Sequence, residues 1–181
     1  DEELRRLRSL KLTTLYMGLE SGDEDVLAAC RKGETAAAMV EAGIKAQEAG
    51  MRMSVMVLLG LGGVENSAAH AANTAAALNQ MQPRLLSALR VTPIPGTKLH
   101  DDIEAGLFVL PTEYGVVEEL RALIAVLELQ STVFRANHTS NIVPVEARLP
   151  RDKLQLLEQL DALLASGTLD EETPGHLSLW L

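Results

Sequence analysis

Two hydrophobic periods alternate along the chain. Leu15, Met17 and Leu19 alternate with Tyr16, Gly18 and Glu20, a period of two that predicts a strand over Thr13 to Glu20. Asp23-Glu24-Asp25 then offers an N-cap and an acidic first turn for a short helix reaching Arg31-Lys32, closed by Gly33. Thr35 predicts the cap of a second helix, Ala36 to Ala49, with Met39, Ala42 and Ala46 on its apolar face and Gly50 as its stop. Arg52 to Leu59 reads as a buried strand running into Gly60-Leu61-Gly62-Gly63. Asn66 is the expected cap of an alanine-rich helix to about Met81. Leu85 to Val91 predicts a third strand, and Pro93-Ile94-Pro95-Gly96-Thr97 a turn. A short helix, Leu99 to Ala105, precedes a longer one capped by Thr112, with Val116, Leu120, Leu123, Ile124 and Leu127 on one face. Ser131 to Ala136 predicts a fourth strand, and Arg151 to Ala165 a final helix striped by Leu154, Leu157, Leu160 and Leu164. Residues 1–10 read as the end of another helix, and the chain from Ser166 as a mobile tail.

Strand and helix alternate four times, which predicts parallel strands joined by helical crossovers. Ligands of such folds sit at the carboxyl ends of the strands. Here those ends are Glu20-Ser21-Gly22, Gly60-Leu61-Gly62-Gly63, Thr92 to Thr97 and Asn137-His138.

Composition narrows the chemistry. The chain of 181 residues has five aromatics, so its core is built from Leu, Val, Ile, Ala and Met. A net charge of −9 argues against a nucleic-acid binder, which needs a basic surface. No apolar run reaches the roughly 20 residues of a membrane-spanning helix. With no signal-peptide pattern either, a cytoplasmic location is expected. The single cysteine excludes a disulfide framework and any iron–sulfur cluster held by this chain alone. The chain opens without methionine inside a helical pattern, so a portion of a longer protein is expected.

Four polar groups stand at the strand ends. Glu20 can accept hydrogen bonds from an amine or a ribose diol, or cap a loop. Gly60, Gly62 and Gly63 allow close backbone approach of a ligand, or make a tight turn; neither the dinucleotide fingerprint nor a Walker loop is present. Arg90, expected to share a barrel-lining face with Ala88 and Thr92, calls for an anion, either Glu20 or a ligand carboxylate. Asn137-His138-Thr139-Ser140-Asn141 either faces substrate or closes a turn on itself. His70, His100 and His176 read as surface residues, and Cys30 as packing. No histidine pair has metal-ligand spacing, and no nucleophile–base pair stands out.

In order, Leu15-Tyr16-Met17-Gly18-Leu19-Glu20-Ser21-Gly22, Asp25-Val26-Leu27, Arg31-Lys32-Gly33, Ala46 to Gly50, Val57 to Gly63 and Pro93 to Leu99 resemble the carboxy-terminal half of a radical SAM enzyme. Phe134 to His138 and Leu149 to Lys153 resemble the subgroup related to oxygen-independent coproporphyrinogen oxidases. The resemblance implies a partial TIM-like (β/α) barrel fragment with S-adenosylmethionine across the strand ends. Residues 1–148 would be the carboxy-terminal portion of the barrel, 149–166 a terminal packing helix and 167–181 a flexible tail. It implies that Glu20 meets the ribose or amine, that Lys32 meets the methionine carboxylate, and that Gly60 and Gly62 lie beside the adenine, with Ser21 and Gly63 further cofactor-binding candidates. Family members often carry an acidic ribose ligand at the position of Met56, with Ser54 the nearest polar residue on that face here. Arg90, Thr92, Asn137 and His138 are the candidate substrate contacts.

The family's three-cysteine motif is absent, so the [4Fe–4S] cluster is expected only in the full-length parent, and this chain is expected to be inactive alone. The partner implied is the amino-terminal half of the same protein. An unpaired first strand would otherwise invite a homodimer, or a rearranged edge covered by a helix. The alternatives are a free-standing α/β module that binds a ligand or protein with no redox role, and an aldolase-like half barrel, which lacks a Schiff-base lysine at a strand end.

Overall fold

A computed structural model of the chain, which describes residues 2–175, contains one five-stranded sheet in the order β1 to β5. The strands are β1 (Thr14–Glu20), β2 (Arg52–Leu59), β3 (Leu85–Arg90), β4 (Thr132–Ala136) and β5 (Val145–Leu149). The first four are parallel, and β5 runs antiparallel to β4. The helices are α1 (Glu2–Ser9), α2 (Glu24–Ala29), α3 (Ala36–Glu48), α4 (Gly63–Met81), α5 (Lys98–Glu104), α6 (Glu113–Val126) and α7 (Lys153–Leu164).

Local chemistry starts most of these helices where the sequence predicts. Asp23 accepts the amides of Asp25 and Val26, Thr35 that of Ala38, Thr97 that of His100 and Thr112 that of Gly115. α4 departs from the expectation: it starts at Gly63 behind Gly62, with no side-chain cap, and Asn66 lies inside its first turn. Gly60 and Gly63 take φ of +80° and +65°, so the chain turns into the helix earlier than a capping residue would allow. The Val64 amide is satisfied instead by the Val109 carbonyl.

The pleat then sorts the side chains. Met53, Val55, Val57 and Leu59 of β2, Leu86 and Ala88 of β3 and Phe134 of β4 share one core with residues of five helices. These include Met39 and Ala46 of α3, Leu78 and Met81 of α4, Leu120 and Ile124 of α6, and Leu160 of α7. Each large side chain buried there contributes about 1.5–3 kcal/mol. The opposite face stays partly open: Tyr16 is 75% exposed, and Met56, Ser87 and Leu89 are half-buried. A second apolar cluster of Val26, Leu61 and Val91, with Leu58, Leu99 and Leu110 against it, closes over the strand ends. No helix among the described residues is long and apolar enough to cross a membrane.

Two expectations change. The sequence reading has four strands; the structure adds β5, whose Ala147 and Leu149 enter the core while Glu146 and Arg148 stay out. The tail expected to be mobile is fastened as far as Gly175. Asp170 and Thr173 carbonyls accept the Tyr114 and Glu113 amides at the start of α6, and Glu113 accepts the Asp170 amide. Those first-turn amides have no partner inside the helix, which is why a strap settles there. His176 and the rest of 176–181 lie outside the described residues.

Candidate functional site

The carboxyl end of β1 is distorted. The register with β2 shifts between Gly18 and Glu20, and Glu20 takes a φ of +61°, a conformation uncommon for a side chain with a Cβ. That turn folds the Glu20 carboxylate back over Gly18 on the open face. Lys32, just past α2, reaches it at 3.1 Å. Both side chains keep about a quarter of their surface, 26% for Lys32 and 23% for Glu20. A Cβ on Gly18 would overlap the Glu20 carboxylate and lie 3.3 Å from Lys32 Nζ, so only glycine leaves this space.

The next residue turns inward. Ser21 is fully buried, and its Oγ accepts the Asp23 amide at 2.9 Å and lies 2.7 Å from His70 Nδ1. His70 Nε2 is 3.0 Å from the Leu58 carbonyl oxygen and 3.6 Å from Glu119 Oε1. Glu119, on α6, accepts the Gly60 amide at 2.7 Å and the Ser67 hydroxyl at 2.5 Å. Burial pushes the Glu119 carboxyl up, against the pull of His70, Ser67 and Gly60. His70, expected at the surface, is 2% exposed. The signal was present: His70, Thr74 and Leu78 recur at helical spacing, a face that the alanines on every side obscure. Glu119 was missed although it lies three residues after Val116 and four before Leu123, on the apolar face of its helix.

Arg90 does not line the open face. It shares a side of β3 with the core residues Leu86 and Ala88, and is 4% exposed. Its guanidinium donates to the Pro174 carbonyl in the strap. Burial lowers its pKa, and nearby Glu113 opposes this. Glu20, one suggested partner, is engaged by Lys32 instead. The reason is strand phase: with Leu86 and Ala88 required inside, Arg90 follows them. Thr92 is half-buried just beyond the strand.

On the open face, Met56, Ser87, Leu89, Arg135, Asn137 and His138 border a hollow of about 550 Å³. Asn137 is exposed and His138 half-buried. His138 Nδ1 accepts the Ser140 amide at 3.1 Å, and Asn141 donates to the Ala88 carbonyl at 2.9 Å, so this loop closes partly on itself. Ser54 is buried on the same face beside Tyr16. A smaller pocket of about 190 Å³ lies over the strand ends, between Val26, Cys30, Leu61, Leu99 and Phe108. Gly62 and Gly63 line its continuation of about 390 Å³.

Of the cofactor-facing residues read from sequence, the structure thus brings Glu20 and Lys32 into contact. Buried hydrogen bonds tie the next residue, Ser21, through His70 to the Leu58 carbonyl, two residues before Gly60. The structure sets Asn137 and His138 beside the open face and removes Arg90 from it. Among the described residues no group of three His, Cys, Asp or Glu could hold a metal ion. A cluster needing three thiolates therefore does not fit this chain, whose one cysteine is Cys30.

Comparison with known proteins follows the same lines. The model of the Radical SAM superfamily matches residues 1–74, which include Glu20, Lys32, the glycine turn and His70. No curated protein matches the chain. Among solved structures, the archaeal Methanocaldococcus infernus Elp3 with N-terminus deletion (1-46) matches 96% of this chain with a TM-score of 0.64 at 14% identity. The chain spans 40% of the length of that structure, and the likeness is one of fold. The chain is therefore a mixed α/β, barrel-like fold whose first 74 residues carry a Radical SAM superfamily match.

Proposed function

We propose that this chain is the carboxy-terminal part of a radical SAM catalytic barrel. Its strand ends would face S-adenosylmethionine and a substrate, and it would be inactive without the cluster-bearing part. The observation that carries this reading is the Glu20–Lys32 pair held over Gly18 at the end of β1, inside the matched segment. The amino-acid end of S-adenosylmethionine bears an ammonium and a carboxylate. Glu20 would accept from the ammonium and Lys32 would donate to the carboxylate, each exchanging its present partner for one of the same sign. Gly60, Gly62 and Gly63 leave the backbone bare for a flat ring to approach. Met56 stands at the position expected for a ribose ligand; the buried Ser54 lies two residues before it on the same face, and Ser87 of β3 is its cross-strand partner.

S-adenosylmethionine, cleaved reductively at an iron–sulfur cluster, supplies radical chemistry in that superfamily. The residues present hold no cluster, so no step of that cleavage is assigned to them. Thr92, Asn137 and His138 are the proposed substrate contacts. The subgroup proposed is that of the relatives of oxygen-independent coproporphyrinogen oxidases, in the cytoplasm. β1, paired among the described residues with β2 alone, is the edge against which the rest of the barrel would lie; a second copy is the alternative.

Two observations test this. Coding sequence upstream of Asp1 is expected to contain three cysteines spaced by three and two residues, and an upstream strand–helix region without them would overturn the reading. Calorimetry with S-adenosylmethionine is expected to show weak binding that Glu20→Ala and Lys32→Ala each weaken further. Binding indifferent to both substitutions would remove the pair from the site.

A further inference from the structure

Glu119 lies in a helix that the sequence comparison does not reach, yet its carboxylate touches the candidate site. The β2–β3 ladder ends where Leu59 accepts the Val91 amide. Gly60, next along, takes its left-handed turn and points its amide to the helix side, where Glu119 accepts it. That amide is buried, and an unpaired buried amide is costly. The second oxygen of Glu119 holds Ser67, one helical turn before His70.

His70 makes the other half of the link. The Leu58 carbonyl can only accept, so in the neutral ring Nε2 carries the hydrogen and Nδ1 accepts from the Ser21 hydroxyl, whose oxygen accepts the Asp23 amide. The network thereby assigns the ring hydrogen to Nε2, directed at the Leu58 carbonyl. One imidazole thus joins the loop after β1 to the last turn of β2. Groups from β1, β2, α4 and α6 meet in one place, with Ser21, His70 and Glu119 at 0%, 2% and 3% exposure. A cluster so completely paired is rigid, and loss of any member leaves a buried partner unsatisfied.

We propose that Glu119 and His70 are positioning residues that lock the Glu20–Asp23 loop and the Gly60–Gly63 turn into a single unit, so that the cofactor-facing ends of β1 and β2 hold one fixed separation. The inference rests on the radical SAM reading for the identity of the ligand. The coupling of the two loops stands on the hydrogen bonds alone.

Amide hydrogen exchange followed by NMR tests it on the purified chain. Glu119→Ala is expected to speed exchange about tenfold or more at both Gly60 and Asp23, with the core amides of Val55 and Leu86 unchanged. Glu119→Gln, which keeps an acceptor for Gly60 and a partner for Ser67, is expected to restore protection at both. Acceleration at Gly60 with Asp23 at its wild-type rate would overturn the coupling. Should Glu119→Ala unfold the chain, Ser21→Ala decides the question from the other end. Faster exchange at Gly60 supports the lock, and an unchanged Gly60 refutes it. Calorimetry on the same variants separates the two ideas: coupled exchange without any binding of S-adenosylmethionine would sink the ligand and spare the lock.

Discussion

Gly18→Ala should leave the fold intact and disable the Glu20–Lys32 pair. The added methyl group would overlap the Glu20 carboxylate and crowd its Cδ at 3.0 Å and Lys32 Nζ at 3.3 Å. Gly18 has no positive φ, so alanine is compatible with the backbone. The obstructing atoms are the far ends of two flexible side chains, which swing aside toward solvent. Losing a partly exposed ion pair of this kind costs about 0–1 kcal/mol. Replacing glycine by alanine at a compatible position returns about 0.4–1 kcal/mol through the unfolded state. The two nearly cancel, so stability should change by no more than about 1 kcal/mol. Binding should respond differently, because a charge-assisted hydrogen bond to a ligand is worth about 1.5–3 kcal/mol, or roughly 10- to 100-fold in affinity. Urea unfolding and calorimetric titration with S-adenosylmethionine measure the two effects on one sample. A stability loss beyond about 2 kcal/mol would show that the carboxylate cannot move. Wild-type affinity would show that the pair is not what the ligand meets.

Other consequences are equally direct. Phe134→Ala empties a fully buried site flanked by Leu86 and Ala147 in neighbouring strands and should cost about 3–5 kcal/mol in urea unfolding. Asp23→Ala removes the α2 cap and the bond from Asn73, at about 1–2 kcal/mol. Partial burial pushes the Asp23 carboxyl up, but the Val26 amide, Asn73 and the Asp25 amide outweigh it and hold it below 3.8. Its stabilisation is therefore present above that value and lost as pH falls through the lower folded value, an acid limb that Asp23→Ala should flatten. For Glu119 the sign reverses. Its carboxyl is raised from 4.5, so the folded chain holds the proton longer and stability falls as pH rises through that window. Glu119→Gln should remove this slope in thermal unfolding as pH rises above 4.5. Asp152, bonded first by Arg151 and then by the Arg148 amide, should titrate at about 2 by NMR, and Arg151→Ala should move it toward 3.8.

What could be read from the sequence is what neighbours in sequence decide. The caps at Asp23, Thr35 and Thr112 work within three residues, so their side chains announce them, whereas Thr97, read as the end of a turn, proves to cap α5. β1 and β2 announce themselves through apolar patterns running into glycines and β3 through a leucine-rich run stopped by the turn from Pro93, and their alternation with helices implies a parallel sheet. β5 carries the same alternation over five residues, but a short strand preceded by a polar loop and followed by proline looks like loop until β4 offers it a partner.

By itself, the sequence determined the elements other than β5, their order, the α/β class and the residues at the strand ends. Tertiary structure alone decided which way those residues face and what they meet. Arg90 went inward because Leu86 and Ala88 set the phase of its strand, a constraint imposed by the helices across the core. His70 and Glu119, 49 residues apart, form one cluster with Ser21 only because α4 and α6 pack side by side over β2. Glu20 met Lys32 rather than Arg90 because a bulge folded its carboxylate over Gly18. Periodicity is a property of a few consecutive residues, whereas the partner of a charge depends on which distant surface the fold brings beside it.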